Sequence, residues 1–273
     1  MLRLPNIQLP KAAATQLKDW QTLIDAETGF PAQVAAAKKQ FSSKNKKTNA
    51  TFKIVREKLV KMHGDLIRCA YCEDSVADEV EHLYPKSIFP ERVFKWSNYT
   101  YACGPCNGPK NSKFRLFRSI DGQEIDITPP RRKPPGWVAT KPPKGVPLLI
   151  DPRRENPLDF LWLDLIGAEK MIIPKIGLSP KDLRRAKYTR KILGLNRDFL
   201  LKARRNAVTS TKALIADYER KKNKKAPSKE IREIKVAIQT MQHRTVWKEF
   251  IRQKDLHPTL QAFFANNPET LKW

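Results

Sequence analysis

The 273-residue sequence holds only four cysteines and four histidines, and few acids for its bases: 28 Asp and Glu against 53 Lys and Arg. It has no apolar run near the ~18 residues a membrane-spanning helix needs, so no membrane partner is expected. The opening stretch, MLRLPNIQLPKAAATQLKDW, has no apolar signal core and carries a proline at position 5; a cytoplasmic location is expected. No glycine-rich loop ending in Lys-Ser or Lys-Thr occurs, which excludes ATP hydrolysis by a phosphate-binding loop of that kind. The shortage of acids leaves a formal charge of +25 and a pI near 10.0. A well-solvated surface explains many charges but not this imbalance, which points to a polyanionic partner, nucleic acid before an anionic membrane surface.

The four cysteines fall into two Cys-x-x-Cys pairs, Cys69/Cys72 and Cys103/Cys106, with none left over. In a reducing compartment disulfides are not expected, and no βαβ pattern surrounds either pair to suggest a redox motif. Two tight turns that each offer two thiolates suit a tetrahedral Zn²⁺. A plain zinc ribbon separates its pairs by ~15–20 residues. Here 30 residues intervene, and they contain Glu81, His82 and Asn98; Asn107 follows Cys106 directly. The zinc therefore pins these polar groups to one unit.

Around that unit the chain divides into four parts. Residues 1–64 read as helical: Ala- and Lys-rich segments come first, then ATFKIVREKLVKMHG places Phe52, Val55, Leu59 and Met62 on one face, with Gly64 as a stop. Residues 65–118 bear the cysteines. Residues 119–154 contain TPPRRKPPGWVATKPPKGVP, with seven prolines, five basic residues and no acid, and read as an extended basic connector that forms neither helix nor central strand. Residues 155–273 start with LDFLWLDLI and KMIIPK, which read as two short strands or one strand pair. They continue as basic helices, with Ser179 and Ser228 as expected N-caps and Pro180 at a first helical position. From Pro180 to Lys225 there are 16 basic residues against four acids, and Arg184, Arg185, Arg204 and Arg205 read as a face for nucleic acid. His63, His243 and His257 have no acid partner in register and read as structural or surface residues.

The string CAYC…EHLYPKS…WSNYTYACGPCNGPK, over residues 66–113, resembles an HNH nuclease of the ββα-metal type with a zinc-binding cysteine quartet. The resemblance implies an α+β, mainly α fold. A small zinc-stabilised, treble-clef-like ββα-metal core would be flanked by N-terminal and C-terminal helical regions. It implies His82 as general base, Glu81 and Asn107 as ligands of a catalytic Mg²⁺ or Mn²⁺, Asn98 as a brace of the loop, and Lys110 as a phosphate contact. The cysteines would hold a structural Zn²⁺ away from the reaction. The chemistry suits these types. A histidine titrating near neutrality activates water, and a hard cation on oxygen ligands neutralises phosphate. Three features depart from the family pattern: Glu stands where Asp is usual, the last position is Asn, and Gly108-Pro109 shortens the expected helix.

A weaker likeness extends through PLLIDPRRENP and KYTRKILGLNRDFLLKARR. Together with the nuclease core it is similar to HNH proteins of Septu-type and retron-associated anti-phage systems, in which the nuclease works beside an ABC/SMC-like ATPase. The expected function is endonucleolytic hydrolysis of nucleic acid, DNA before RNA, under control of such a partner. Two alternatives stay open: a free-standing HNH nuclease of restriction or mobile-element type, and a non-catalytic zinc module that binds nucleic acid.

Overall fold

The computed structural model describes residues 1–273 as an α+β fold of nine α-helices and three small antiparallel sheets. Three helices come first: α1 (Lys11–Asp25), α2 (Phe30–Lys44) and α3 (Ala50–Lys61). Gly29, at φ 87°, turns the chain into α2, a conformation that costs glycine little. Asn49 caps α3 by accepting a bond from Phe52 N at 3.0 Å. All four residues of the expected α3 face, Phe52, Val55, Leu59 and Met62, are buried. They pack with Trp20, Phe41, Phe94 and Tyr99 into a cluster that reaches across to the first sheet. Each such side chain contributes about 1.5–3 kcal/mol on burial.

That sheet pairs β1 (Glu79–His82) with β2 (Tyr99–Ala102), with Glu81 opposite Thr100 and His82 opposite Tyr99. Helix α4 (Gly104–Lys110) follows directly, starting one residue after Cys103 and containing Pro109. The ββα unit has a core on each side. The aromatic cluster of the N-terminal helices covers one. The other is a larger cluster that includes all four cysteines, Tyr71 and Leu83 with the C-terminal helices.

Strands β3 (Arg115–Arg118), β4 (Glu124–Asp126) and β5 (Gly145–Pro147) form the second sheet, in the order β4-β3-β5. The proline-rich stretch is thus no simple connector. Its ends pair with the two edges of β3, and the chain then dives inward, burying Leu148, Leu149 and Ile150. Pro147 sits on an edge strand, where its missing N–H costs no ladder bond.

The expected strand pair is present as β6 (Leu161–Leu163) and β7 (Ile172–Pro174). Helix α5 (Pro180–Ile192) starts behind Ser179, whose hydroxyl accepts from Asp182 N at 3.1 Å. Gly194, at φ 56°, separates α5 from α6 (Asp198–Asn223). Ser228 is the first residue of α7 (Ser228–Thr240), not its cap; Pro227 takes the cap position and makes no side-chain bond. The C-terminal helical stretch breaks before α8 (Thr245–Arg252). There His243 adopts φ 53° and its ring meets Asp74 at 3.1 Å. Helix α9 (Pro258–Asn266) closes the domain. No helix is long and apolar enough to cross a membrane.

The arginine face expected on α5 and α6 is only partly a surface. Arg185 is buried and holds Glu155 through two bonds, at 2.6 and 2.7 Å. Arg204 is buried and donates to the carbonyls of Lys170, at 2.8 Å, and Leu195. Arg184 and Arg205 are outside and pair with Glu124 and Glu169. The helices spend half of these charges on holding their own connections.

His63 gives the fold an acid sensitivity. Burial pushes its imidazole down from 6.5 to about 4, partly offset by the Glu73 carboxylate and reinforced by Arg244. As pH falls below 6.5, the unfolded chain takes up this proton and the folded chain does not. Stability is therefore present above 6.5 and lost progressively down to about pH 4, by about 3 kcal/mol in full. His82, also buried neutral, adds a loss of the same sign. Thermal melts from pH 7 to pH 4.5 are expected to show a falling midpoint, and a shallower fall in His63→Gln.

Candidate active site and metal centre

The four cysteine sulfurs come together in the core, all within 4.8 Å of one another. Cys72 Sγ and Cys103 Sγ are 3.8 Å apart, the edge of about 3.8 Å that Zn–S bonds of ~2.3 Å give in a tetrahedron. Tight turns build each half: Glu73 N returns to Cys69 O at 3.0 Å, and Cys106 N to Cys103 O at 3.0 Å. A Zn²⁺ on four thiolates carries two net negative charges. Arg197, on the α5–α6 turn, stands against them: its guanidinium lies 3.5 Å from Cys106 Sγ and donates to Pro105 O at 2.8 Å. Four buried thiols at this spacing, with a cation beside them, fit a structural zinc.

His82 lies at the end of β1, 4 % exposed. Its ring packs edge-on against Phe41, with centroids 4.4 Å apart, and against Tyr99 at 5.2 Å. Its Nε2 meets the Val93 carbonyl at 2.9 Å; a carbonyl only accepts, so Nε2 carries the hydrogen. The lone pair is then on Nδ1, which has no hydrogen-bond partner in the chain and is not among the sealed, unpartnered polar atoms. Burial first, then the ammonium of Lys86, holds the imidazole at about 3, so it is neutral at physiological pH.

The Val93 carbonyl is itself fixed. Tyr99 Oη donates to it at 2.7 Å. Asn98 spends its amide on the same loop, accepting from Tyr84 N at 2.8 Å and donating to the carbonyls of Tyr84 at 3.0 Å and Arg92 at 2.9 Å. Gln21 of α1 accepts from Phe94 N at 2.9 Å and donates to Pro90 O at 3.1 Å. Arg153 donates to Tyr99 O at 2.6 Å. Asn98 and Tyr99 at the loop's end, with Gln21 and Arg153 from two distant segments, thus hold the loop that orients His82.

The opposite face of β1 meets α4. There Glu81 is buried against Lys110, which also donates to the His82 carbonyl at 2.8 Å. Burial pushes the Glu81 carboxyl up, and Lys110 opposes the shift. Its Oε1 meets the Lys110 ammonium in a buried ion pair. Asn107 does not meet Glu81; its amide donates to Glu79 Oε2 at 2.5 Å. Lys110, expected at phosphate, is 1 % exposed and sits inside as the counter-ion of Glu81. The quartet is also the one group of three or more His, Cys, Asp or Glu side chains placed to share a metal.

The structure therefore puts Glu81, His82, Asn98, Asn107 and Lys110 in one small unit beside the quartet, with pairings that sequence spacing does not show. Glu79 was missed, although strand alternation puts it two residues from Glu81 on the same face. Lys86 was missed as well; it lies beside His82 and Glu81. Arg197 carries no local signal, since its sulfur partner is 91 residues away.

No family model matches the chain. One curated relative, the Septu protein PtuB of Bacillus thuringiensis, is 40 % identical over 64 residues, which is 22 % of this chain and 25 % of the relative. The chain thus spans about a quarter of the length of the curated relative it matches.

Proposed function

We propose that this chain is a metal-dependent HNH-type endonuclease, the effector of an anti-phage defence system that works with an ABC/SMC-like ATPase. The observation that carries the proposal is the state of His82: a neutral imidazole, oriented through Nε2 by Val93 O, with an unengaged Nδ1, on the strand next to the cysteine quartet. The defence context rests on the partial likeness to the Septu protein; the ATPase rests on the resemblance of the motif string.

In this reading Nδ1 takes the proton of a water that attacks phosphorus while the bond to the leaving oxygen breaks. Val93 O keeps the ring oriented as it becomes charged. Asn98 acts on the loop, not on the substrate. The residues fit a hard cation in one respect: Asn107, which donates through its NH₂ to Glu79, keeps its own carbonyl oxygen free. Glu81 and Asn107 would hold Mg²⁺ or Mn²⁺, with Glu79 positioning Asn107. When bound, such an ion neutralises charge on the phosphate and leaving oxygen. Lys110 balances Glu81. The quartet, holding Zn²⁺, fixes α4 to β1 and takes no part in the reaction.

Two observations favour a second reading, a non-catalytic zinc module that binds nucleic acid. His82 is 4 % exposed, and Glu81 is already taken up by Lys110. Purified chain incubated with Mg²⁺ or Mn²⁺ and plasmid, single-stranded DNA or tRNA separates the two. The nuclease reading expects cleavage that stops when EDTA removes the divalent ion. Binding with no cleavage, alone or with the co-expressed partner, favours the module.

A further inference from the structure

Lys86 stands beside His82, and Lys38 and Lys133, from two other parts of the chain, lie outward of it. Lys86 lies four residues beyond His82, its Nζ 5.1 Å from the centroid of the Phe41 ring. This is the same ring that packs against the His82 imidazole. Lys86 is largely buried, and Glu81, the acid it faces, is held by Lys110. Lys38, exposed on α2, is close enough to add to the positive field at Lys86, and Lys133, on the proline-rich loop, adds to that at Lys38. Lys133 Nζ lies 4.8 Å from the Trp137 ring centroid. A cleft of about 290 Å³ separates this loop from Ser87 and Ile88, lined on the loop side by Trp137 and Lys141 among others. Ser87 Oγ, in the wall of that cleft, is sealed and has no partner.

Like charges brought together without a counter-ion repel one another, and desolvating an ammonium costs more where no carboxylate answers it. A solvated surface explains exposed Lys38 or Lys133 singly. It does not explain Lys86, which is drawn in beside the candidate base and left unpaired. Cations at an interior position, on α2 and on an exposed loop suit an anion that repeats along its length; the one acid in the cleft wall, Asp126, pairs with Arg115. The phosphodiester backbone has that chemistry. The proline-rich loop suits the outer wall. Both its ends are fixed by pairing to β3, and its 128–147 stretch carries five basic residues and no acid.

We propose that Lys86, Lys38 and Lys133 form a phosphate-binding row that seats a nucleic-acid backbone across His82, with the proline-rich loop as its outer wall. The direction of the row toward His82 rests on the nuclease reading; its binding of phosphates does not.

The test uses the full chain with His82→Ala, so that bound probe stays intact. Binding of a labelled DNA duplex and of a labelled single-stranded RNA is followed by anisotropy against salt. Replacing Lys38, Lys86 and Lys133 by Gln is expected to reduce the slope of log K against log salt by about 0.9 per lysine on duplex DNA, or ~0.7 on a single strand. The probe whose slope responds identifies the backbone that is seated. Zinc content and melting check folding. If the triple variant fails that check, exposed Lys133→Gln alone must lower the slope by its single share. An unchanged slope overturns the proposal. So does an equal loss from Lys224 and Lys225 on the α6–α7 turn and Lys229 at the start of α7, or the failure of both probes to bind. A row-dependent slope in a chain whose wild type never cleaves sinks the nuclease reading and leaves the row. Cleavage by wild type with an unchanged slope does the reverse.

Discussion

Cys103→Ser is expected to strip the metal and loosen the whole ββα unit. Cys103 is both a member of the quartet and the residue from which α4 starts. A structural zinc contributes roughly 10–16 kcal/mol of apparent binding free energy at neutral pH, about as much as or more than the ~5–15 kcal/mol by which whole domains are stable. β1 and β2 are four residues each and α4 is seven, too short to hold together on their own hydrogen bonds. The damage should spread because the cysteines are part of the larger core, with Leu163, Leu193 and Leu200. Elemental analysis is expected to find one zinc per wild-type chain and a large loss in the variant. Hydrogen exchange should show β1, β2 and α4 opening while α1–α3 stay protected. Full wild-type stability in a zinc-free variant would mean that the hydrophobic cores alone hold the unit.

Much of the site was legible because its signals are local. Two Cys-x-x-Cys pairs need only a turn each, and acid-His on a strand needs only its neighbours. The α3 face and the Ser179 cap follow from periodicity and one side-chain bond. What failed to show depends on partners far along the chain. Nothing near Arg185 reveals that Glu155, 30 residues back, will take it inside. The family resemblance implies Lys110 as a phosphate contact, yet in the fold it lies beside Glu81, where α4 packs on β1. The ends of the proline-rich loop read as linker because pairing with β3 is non-local. Glu79, which takes the Asn107 amide, went unnoticed although strand alternation alone puts it on the face of Glu81.

His82→Ala is expected to lower phosphodiester cleavage by ~10²–10⁴-fold, the usual contribution of a positioned general base. The reason lies in the ring's bonding. Val93 O fixes the tautomer, Tyr99 and Asn98 fix the loop behind it, and Nδ1 is left to accept a proton. The variant also leaves a cavity against Phe41 and Tyr99, so folding has to be measured beside activity. The quartet lies in a different core cluster from Phe41 and Tyr99, so zinc content should be unchanged. The decisive measurement is the single-turnover cleavage rate of wild type and His82→Ala with saturating Mn²⁺, on preparations matched for zinc and for melting midpoint. The account predicts a rate ratio of at least about 10². Equal rates from two well-folded, zinc-loaded proteins would contradict it.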